Sequence, residues 1–189
     1  MRGAERLMEY DRDRLLALVK RDALQFGDFT LASGKKSSFY IDCRNVTLSS
    51  EGASLIGSGL LDLFVKESID AVGGLTMGAD PVLSAVLTIA GLRGRPLRGF
   101  IVRKEAKQHG AGKLIEGPIR SGDRVAVVED VTTTGGSALQ AVAAVEAIGA
   151  KTVCVATVLD RLAGAKEAFA EKKIPFLSLL TLIDLGISP

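Results

Sequence analysis

The sequence predicts a doubly wound, mainly parallel α/β sheet with a small hood formed by the N-terminal and C-terminal segments. Three observations predict it. Short apolar runs rich in β-branched residues recur near 70–75, 97–102, 124–129 and 152–159, the pattern of strands covered on both faces. Helical stretches alternate with them, as parallel crossovers require. One run, at 125–136, reads VAVVEDVTTTGG, so that an apolar strand ends in two carboxylates and passes straight into a turn of hydroxyls and glycines.

From the N-terminus, the opening reads as a charged amphipathic helix rather than a secretory signal. Residues 26–42, FGDFTLASGKKSSFYID, read as a β-hairpin around Ser33 and Gly34, packed by Phe29, Leu31, Phe39 and Ile41. The strand near 70–75 enters a loop at 74–81, GLTMGADP, and then an apolar helix over 82–92. Asp80 fits better as the cap of that helix than as a metal ligand. The strand near 97–102 breaks into RKEAKQHGAGK at 103–113, where four cations face one acid and the only histidine of the chain sits between them. Gly110 and Gly112 favour mobility there. A mobile cationic loop suits an anionic leaving group, and Lys107 and His109 are the candidates to meet it.

The strand near 124–129 carries Glu129 and Asp130 at its carboxyl end, and the helix over 137–148 closes at Gly149. The turn between them is a helix N-terminus, with unpaired N–H groups and positive dipole potential for an anion. Gly135 and Gly136 let the main chain wrap a phosphate closely, and Thr132, Thr133, Thr134 and Ser137 add hydroxyls. Two carboxylates beside a phosphate would repel it by roughly 4 kcal/mol at about 4 Å and an effective dielectric near 20. Ribose hydroxyls resolve the conflict, because a carboxylate accepts hydrogen bonds from a diol while the loop holds the phosphate beyond the sugar. The expected ligand is therefore a ribose 5-phosphate. Neither G-x-x-x-x-G-K-[ST] nor G-x-G-x-x-G between strand and helix occurs. The last strand, near 152–159, brings Asp160 and Arg161 to the same sheet edge, where ligands of open parallel sheets gather.

The stretch VVEDVTTTGGSA resembles the phosphoribosyl pyrophosphate signature of type I phosphoribosyltransferases. By that resemblance Glu129, Asp130, Val131, Thr132, Thr133, Thr134, Gly135, Gly136 and Ser137 bind phosphoribosyl pyrophosphate, with Asp130 among the catalytic residues. The loop at 103–113 is similar to the catalytic loop of orotate phosphoribosyltransferases, which implies diphosphate roles for Arg103, Lys104, Lys107 and His109. The family's loop crosses a dimer interface, so the resemblance also implies a homodimer with shared sites. Residues 26–42 resemble the same family's N-terminal motif. The match implies orotate contacts at Tyr40 and Ile41, joined by Thr133 and Arg161, whose planar fork suits a carboxylate or paired carbonyls. This chain departs from relatives at Ala32, where many carry a phosphate-binding lysine, and at Met77 and Gly78, where some carry a Tyr-Lys pair. Magnesium is implied through the diphosphate rather than through a protein cage. The signature at 125–137 is equally compatible with a purine or other base phosphoribosyltransferase, or with a nucleotide-sensing regulator that binds RNA or DNA.

At 189 residues the chain suits one domain, with a hood at about 1–45 plus 175–189 and a core at about 46–174. A net charge of +2 gives no ground for nucleic-acid binding. The apolar, uncharged run at 81–92 is too short to span a bilayer, so a cytoplasmic protein is expected, without membrane partners. Cys43 and Cys154 lack CxxC or Cys/His context and read as small fillers.

Overall fold

The computed structural model describes residues 9–30, 34, 36–105 and 113–188. Six strands form one sheet in the order β5-β4-β3-β6-β7-β8. They are β3 (Ala71–Leu75), β4 (Arg98–Val102), β5 (Ile115–Glu116), β6 (Arg124–Thr132), β7 (Lys151–Asp160) and β8 (Phe176–Thr181). All neighbours are parallel except β4 and the two-residue edge strand β5. The chain winds outward from β3 to β4, returns to β6 on the other side of β3, and continues to β7 and β8. The winding direction therefore reverses between β3 and β6, and the crevice at their carboxyl ends is where such sheets bind ligands.

Two apolar layers cover the sheet because strand side chains alternate between faces. On one face, Val72, Ala126, Val128 and Ala156 pack with α1 (Arg12–Asp22), α3 (Ser50–Leu63) and α4 (Ala79–Leu92). On the other, Ala71, Val125, Val127 and Val155 pack with α5 (Gly136–Ala147) and α6 (Ala165–Glu171). Asp11 caps α1 by accepting Arg14 N–H at 3.0 Å, and Ser49 caps α3 by accepting Gly52 N–H at 3.0 Å. Helix α5 opens at Gly136, and Gly149 follows its end with φ 80°.

The hairpin lies apart from this sheet as β1 (Leu24–Thr30) paired antiparallel with β2 (Lys36–Ile41), followed by the short α2 (Arg44–Thr47). The C-terminal segment divides differently from the sequence expectation, which places everything from Pro175 in the hood. Phe176–Thr181 instead pairs in parallel with β7 from Val155 to Asp160 and extends the main sheet. Its buried Leu179 and Leu180 explain the difference, since an apolar strand gains more by completing the sheet than by joining an exposed hairpin. Only the residues after β8 turn back to the N-terminal helix, where Asp184 pairs with Arg12 at 2.8 Å. Asp184 also accepts from Thr181 N and Oγ1 at 2.7 and 2.9 Å.

Candidate active site

Strand β6 decides the geometry of the two acids. Val125 and Val127 face the α5 side and Ala126 and Val128 the α4 side, so the pleat sends Glu129 and Asp130 to opposite faces. Glu129 joins residues 131–138 in lining a cleft of about 250 Å³. Asp130 instead approaches Gly78, in the loop between β3 and α4. The sequence treats the acids as one diol-binding pair, whereas the structure places one against each loop of the crevice.

Both carboxyls are electrostatically expensive. Burial, reinforced by neighbouring Asp130, pushes the Glu129 carboxyl up to about 8. Its Oε1 is buried without a hydrogen-bond partner, as is Thr132 Oγ1. Buried polar atoms are ordinarily paired, so these two mark a place for hydroxyl donors. Burial also raises Asp130, opposed by the Val131 N–H, which donates to Oδ1 at 2.8 Å, and by the charge of Arg44. Arg44 is itself clamped on Asp42 by two 2.8 Å bonds, and that clamp holds the Asp42 carboxyl below the usual range. Composition and spacing single out neither Asp42 nor Arg44; only their position after β2 puts them near the end of β6.

The candidate anion cradle consists of Thr132, Thr133, Thr134, Gly135, Gly136 and Ser137, which line this cleft. Gly135 precedes α5 with φ 83° and ψ 2°, and no side chain caps the helix. The first N–H groups of the helix therefore face the cleft with no competing internal acceptor. Thr133, Thr134 and Ser137 are exposed there.

The cationic loop is anchored at both ends. Arg103 N donates to Leu114 O at 2.9 Å, continuing the pairing of Ile101 with Glu116 and Val102 with Ile115. The Arg103 guanidinium lies 3.8 Å from Glu116, and Lys104 O accepts from Gln140 on α5 at 3.4 Å. Lys107 and His109 lie outside the described residues, as do Ala32 and Lys35.

At the far side of the crevice Arg161 N donates to Thr132 O at 2.9 Å, and the guanidinium sits 5.4 Å from the Phe39 ring centroid. Residues 37, 39 and 41 form the more buried row of β2, while Tyr40 is 38% exposed and packs on Phe29 at 5.6 Å. Phe39, rather than Tyr40, thus brings its side chain to Arg161, a choice set by which face of the strand is buried and not visible in the motif. Asp160 does not hold Arg161: it is buried and its Oδ1 accepts Leu162 N–H at 2.8 Å.

Asp80 is not the cap of α4, in contrast to the sequence expectation. Gly78 occupies that position, and Asp80, the second residue of the helix, accepts from Thr76 Oγ1 at 2.7 Å through Oδ2 while Oδ1 is buried and unpartnered. Both cysteines are buried and their thiols are raised by burial, Cys154 to about 12. Among the described residues no cluster of three or more His, Cys, Asp or Glu is placed to hold a metal, and no helix is long and apolar enough to cross a membrane. A larger cleft of about 1030 Å³ beside residues 9–14 and 50–55 contains none of these groups.

Residues 52–176 match the sequence profile of the phosphoribosyl transferase domain. The chain is 49% identical over 181 residues to the orotate phosphoribosyltransferase of Rhodopirellula baltica, covering 93% of this chain and 94% of that protein. Among solved structures it is similar to Mycobacterium tuberculosis orotate phosphoribosyltransferase. The complex with Fe(III) dicitrate superposes with TM-score 0.85 at 45% identity, covering 93% of this chain and 99% of that one. The complex with 5-phospho-α-D-ribosyl 1-diphosphate gives TM-score 0.80 at 43% identity, with the same coverage. Such identity, sustained along nearly the whole of both chains and on the same mainly parallel fold, means that this chain belongs to the orotate phosphoribosyltransferase family of type I phosphoribosyltransferases.

Proposed function

We propose that the protein transfers the 5-phosphoribosyl group of phosphoribosyl pyrophosphate to orotate, giving orotidine 5′-phosphate and diphosphate in pyrimidine biosynthesis. The C1–O bond to diphosphate breaks, a C1–N bond to orotate forms, and orotate gives up its N–H proton. The observation that carries the reading is the crevice between β3 and β6, with the anion cradle at 131–137 beside an unpartnered buried carboxyl. The cradle holds the 5-phosphate, and Glu129 accepts a ribose hydroxyl from the cradle side. Asp130 takes the sugar from the other face, toward the loop before α4. Lys107 and His109, with Arg103 and Lys104, neutralise the departing diphosphate; without a closed cationic loop, water would compete for an oxocarbenium-like carbon. Arg161, Thr133 and the main chain at Tyr40 and Ile41 address orotate.

Magnesium fits this arrangement as a companion of the diphosphate. The buried, unpartnered Oδ1 of Asp80 is a hard acceptor of the type it favours. When bound it supplies charge neutralisation to the leaving group. The assembly is a homodimer in which the loop at 103–113 serves the partner's site, and the enzyme works in the cytoplasm without nucleic-acid or membrane partners. The test is diphosphate release with phosphoribosyl pyrophosphate, magnesium and each base in turn. Turnover is expected with orotate and not with hypoxanthine, guanine or adenine; a purine as the better acceptor would sink the assignment.

A further inference from the structure

The position of Asp130 depends on what is missing at residue 78. Gly78 has φ −64° and ψ −40°, a right-handed conformation open to every residue. Its backbone therefore gives no reason for glycine. It also stands just before α4, where a Ser, Thr, Asp or Asn side chain would cap the helix, and no side chain caps it. Space supplies the reason. A Cβ at residue 78 would lie 2.6 Å from Asp130 Oδ1, 3.1 Å from its Cγ and 3.5 Å from Oδ2.

Both partners are held where they meet. Asp130 Oδ1 is fixed by the Val131 N–H at 2.8 Å. The loop is held by Thr76 N donating to Val102 O at 2.8 Å and Thr76 Oγ1 donating to Asp80 at 2.7 Å. Gly74, where β3 passes into this loop, is pressed against Val128 O and Ala79 in the same way, so the whole connection lies tightly on β6.

We propose that Gly78 is a positioning residue for Asp130. Having no side chain, it leaves the carboxylate of this chain room to reach into the crevice between the ribose and the diphosphate loop, and a Cβ added at 78 displaces it. What the carboxylate touches rests on the orotate reading above; the steric coupling itself does not.

The experiment is a double-mutant cycle on the full chain with Gly78→Ala, Asp130→Ala and their combination. In the orotate assay Gly78→Ala is expected to lower kcat/KM for phosphoribosyl pyrophosphate by roughly 10-fold to 100-fold, the scale of a misplaced contact, with KM for orotate unchanged. Added to Asp130→Ala, it should cost less than about twofold, because the carboxylate it displaces is gone. Equal losses in both backgrounds overturn the proposal. Thermal melts of all four proteins give an independent reading. If Gly78→Ala fails to fold while the combination folds, the coupling stands, and if both fail it falls. Should the wild type turn over no orotate, the functional reading fails while the melts still decide the coupling.

Discussion

At the scale of single residues, Glu129 controls how the site responds to pH. An ordinary glutamate ionises near 4.5, and this one near 8, chiefly through burial. Between those values the folded protein keeps a proton that the unfolded chain has lost, so stability falls as pH rises from about 4.5 to about 8. The slope should flatten in Glu129→Gln, measured by chemical denaturation across that range. Binding has the opposite sign. Ribose hydroxyls donate best to the ionised carboxylate, so a ligand that selects it must release a proton below pH 8. Calorimetry of phosphoribosyl pyrophosphate binding in buffers of different ionisation enthalpy should show that release, with affinity rising up to about tenfold per pH unit toward 8. Buffer-independent heats would refute the role.

At the scale of elements, the cradle is a strand, a turn and a helix held in one pose by a single glycine. Gly135 has φ 83°, and a Cβ there would lie 2.8 Å from Cζ of Phe169, itself fully buried under α5. Gly135→Ala meets both the left-handed penalty and the ring, so a loss of roughly 2–4 kcal/mol is expected. A thermal melt would register it as a shift of several degrees or more, and phosphoribosyl pyrophosphate affinity should fall with it. Gly136, whose added Cβ would meet only Thr134 Oγ1 at 3.9 Å, should tolerate alanine far better in the same melt. The contrast comes from the backbone and the packing together, since the two glycines are adjacent and equivalent in the motif but only Gly135 has a left-handed φ and a ring against it.

At the scale of the whole molecule, the proposed homodimer makes a quantitative forecast. Lys107→Ala and Asp130→Asn subunits, each inactive alone, are mixed and allowed to exchange. With a loop that acts on the partner's site, each mixed dimer has one intact site, and an equal mixture should recover about one quarter of wild-type activity. A loop acting on its own subunit recovers none. The two ends of the chain also depend on each other, because Arg12 on α1 pairs with Asp184 beyond β8.

The sequence by itself determined the alternation of strands and helices, the turn of hydroxyls and glycines at a helix start, and the run of cations within 103–113, because each is written in contiguous residues. The strand near 124–129 and its carboxylates, followed by glycines at a helix start, specify local chemistry without any partner. Tertiary structure alone decided the rest. It placed Phe176–Thr181 in the main sheet, because that choice depends on what β7 offers as a neighbour. It set Phe39 rather than Tyr40 against Arg161, and it removed Asp80 from the helix cap. It also separated Glu129 from Asp130, since a strand's pleat assigns faces but only the packed helices say what each face meets. At residue 78 the sequence shows only a departure from relatives that carry a lysine; the meaning of the glycine lies in the distance to a carboxylate 52 positions away, which exists only once β3 and β6 lie side by side.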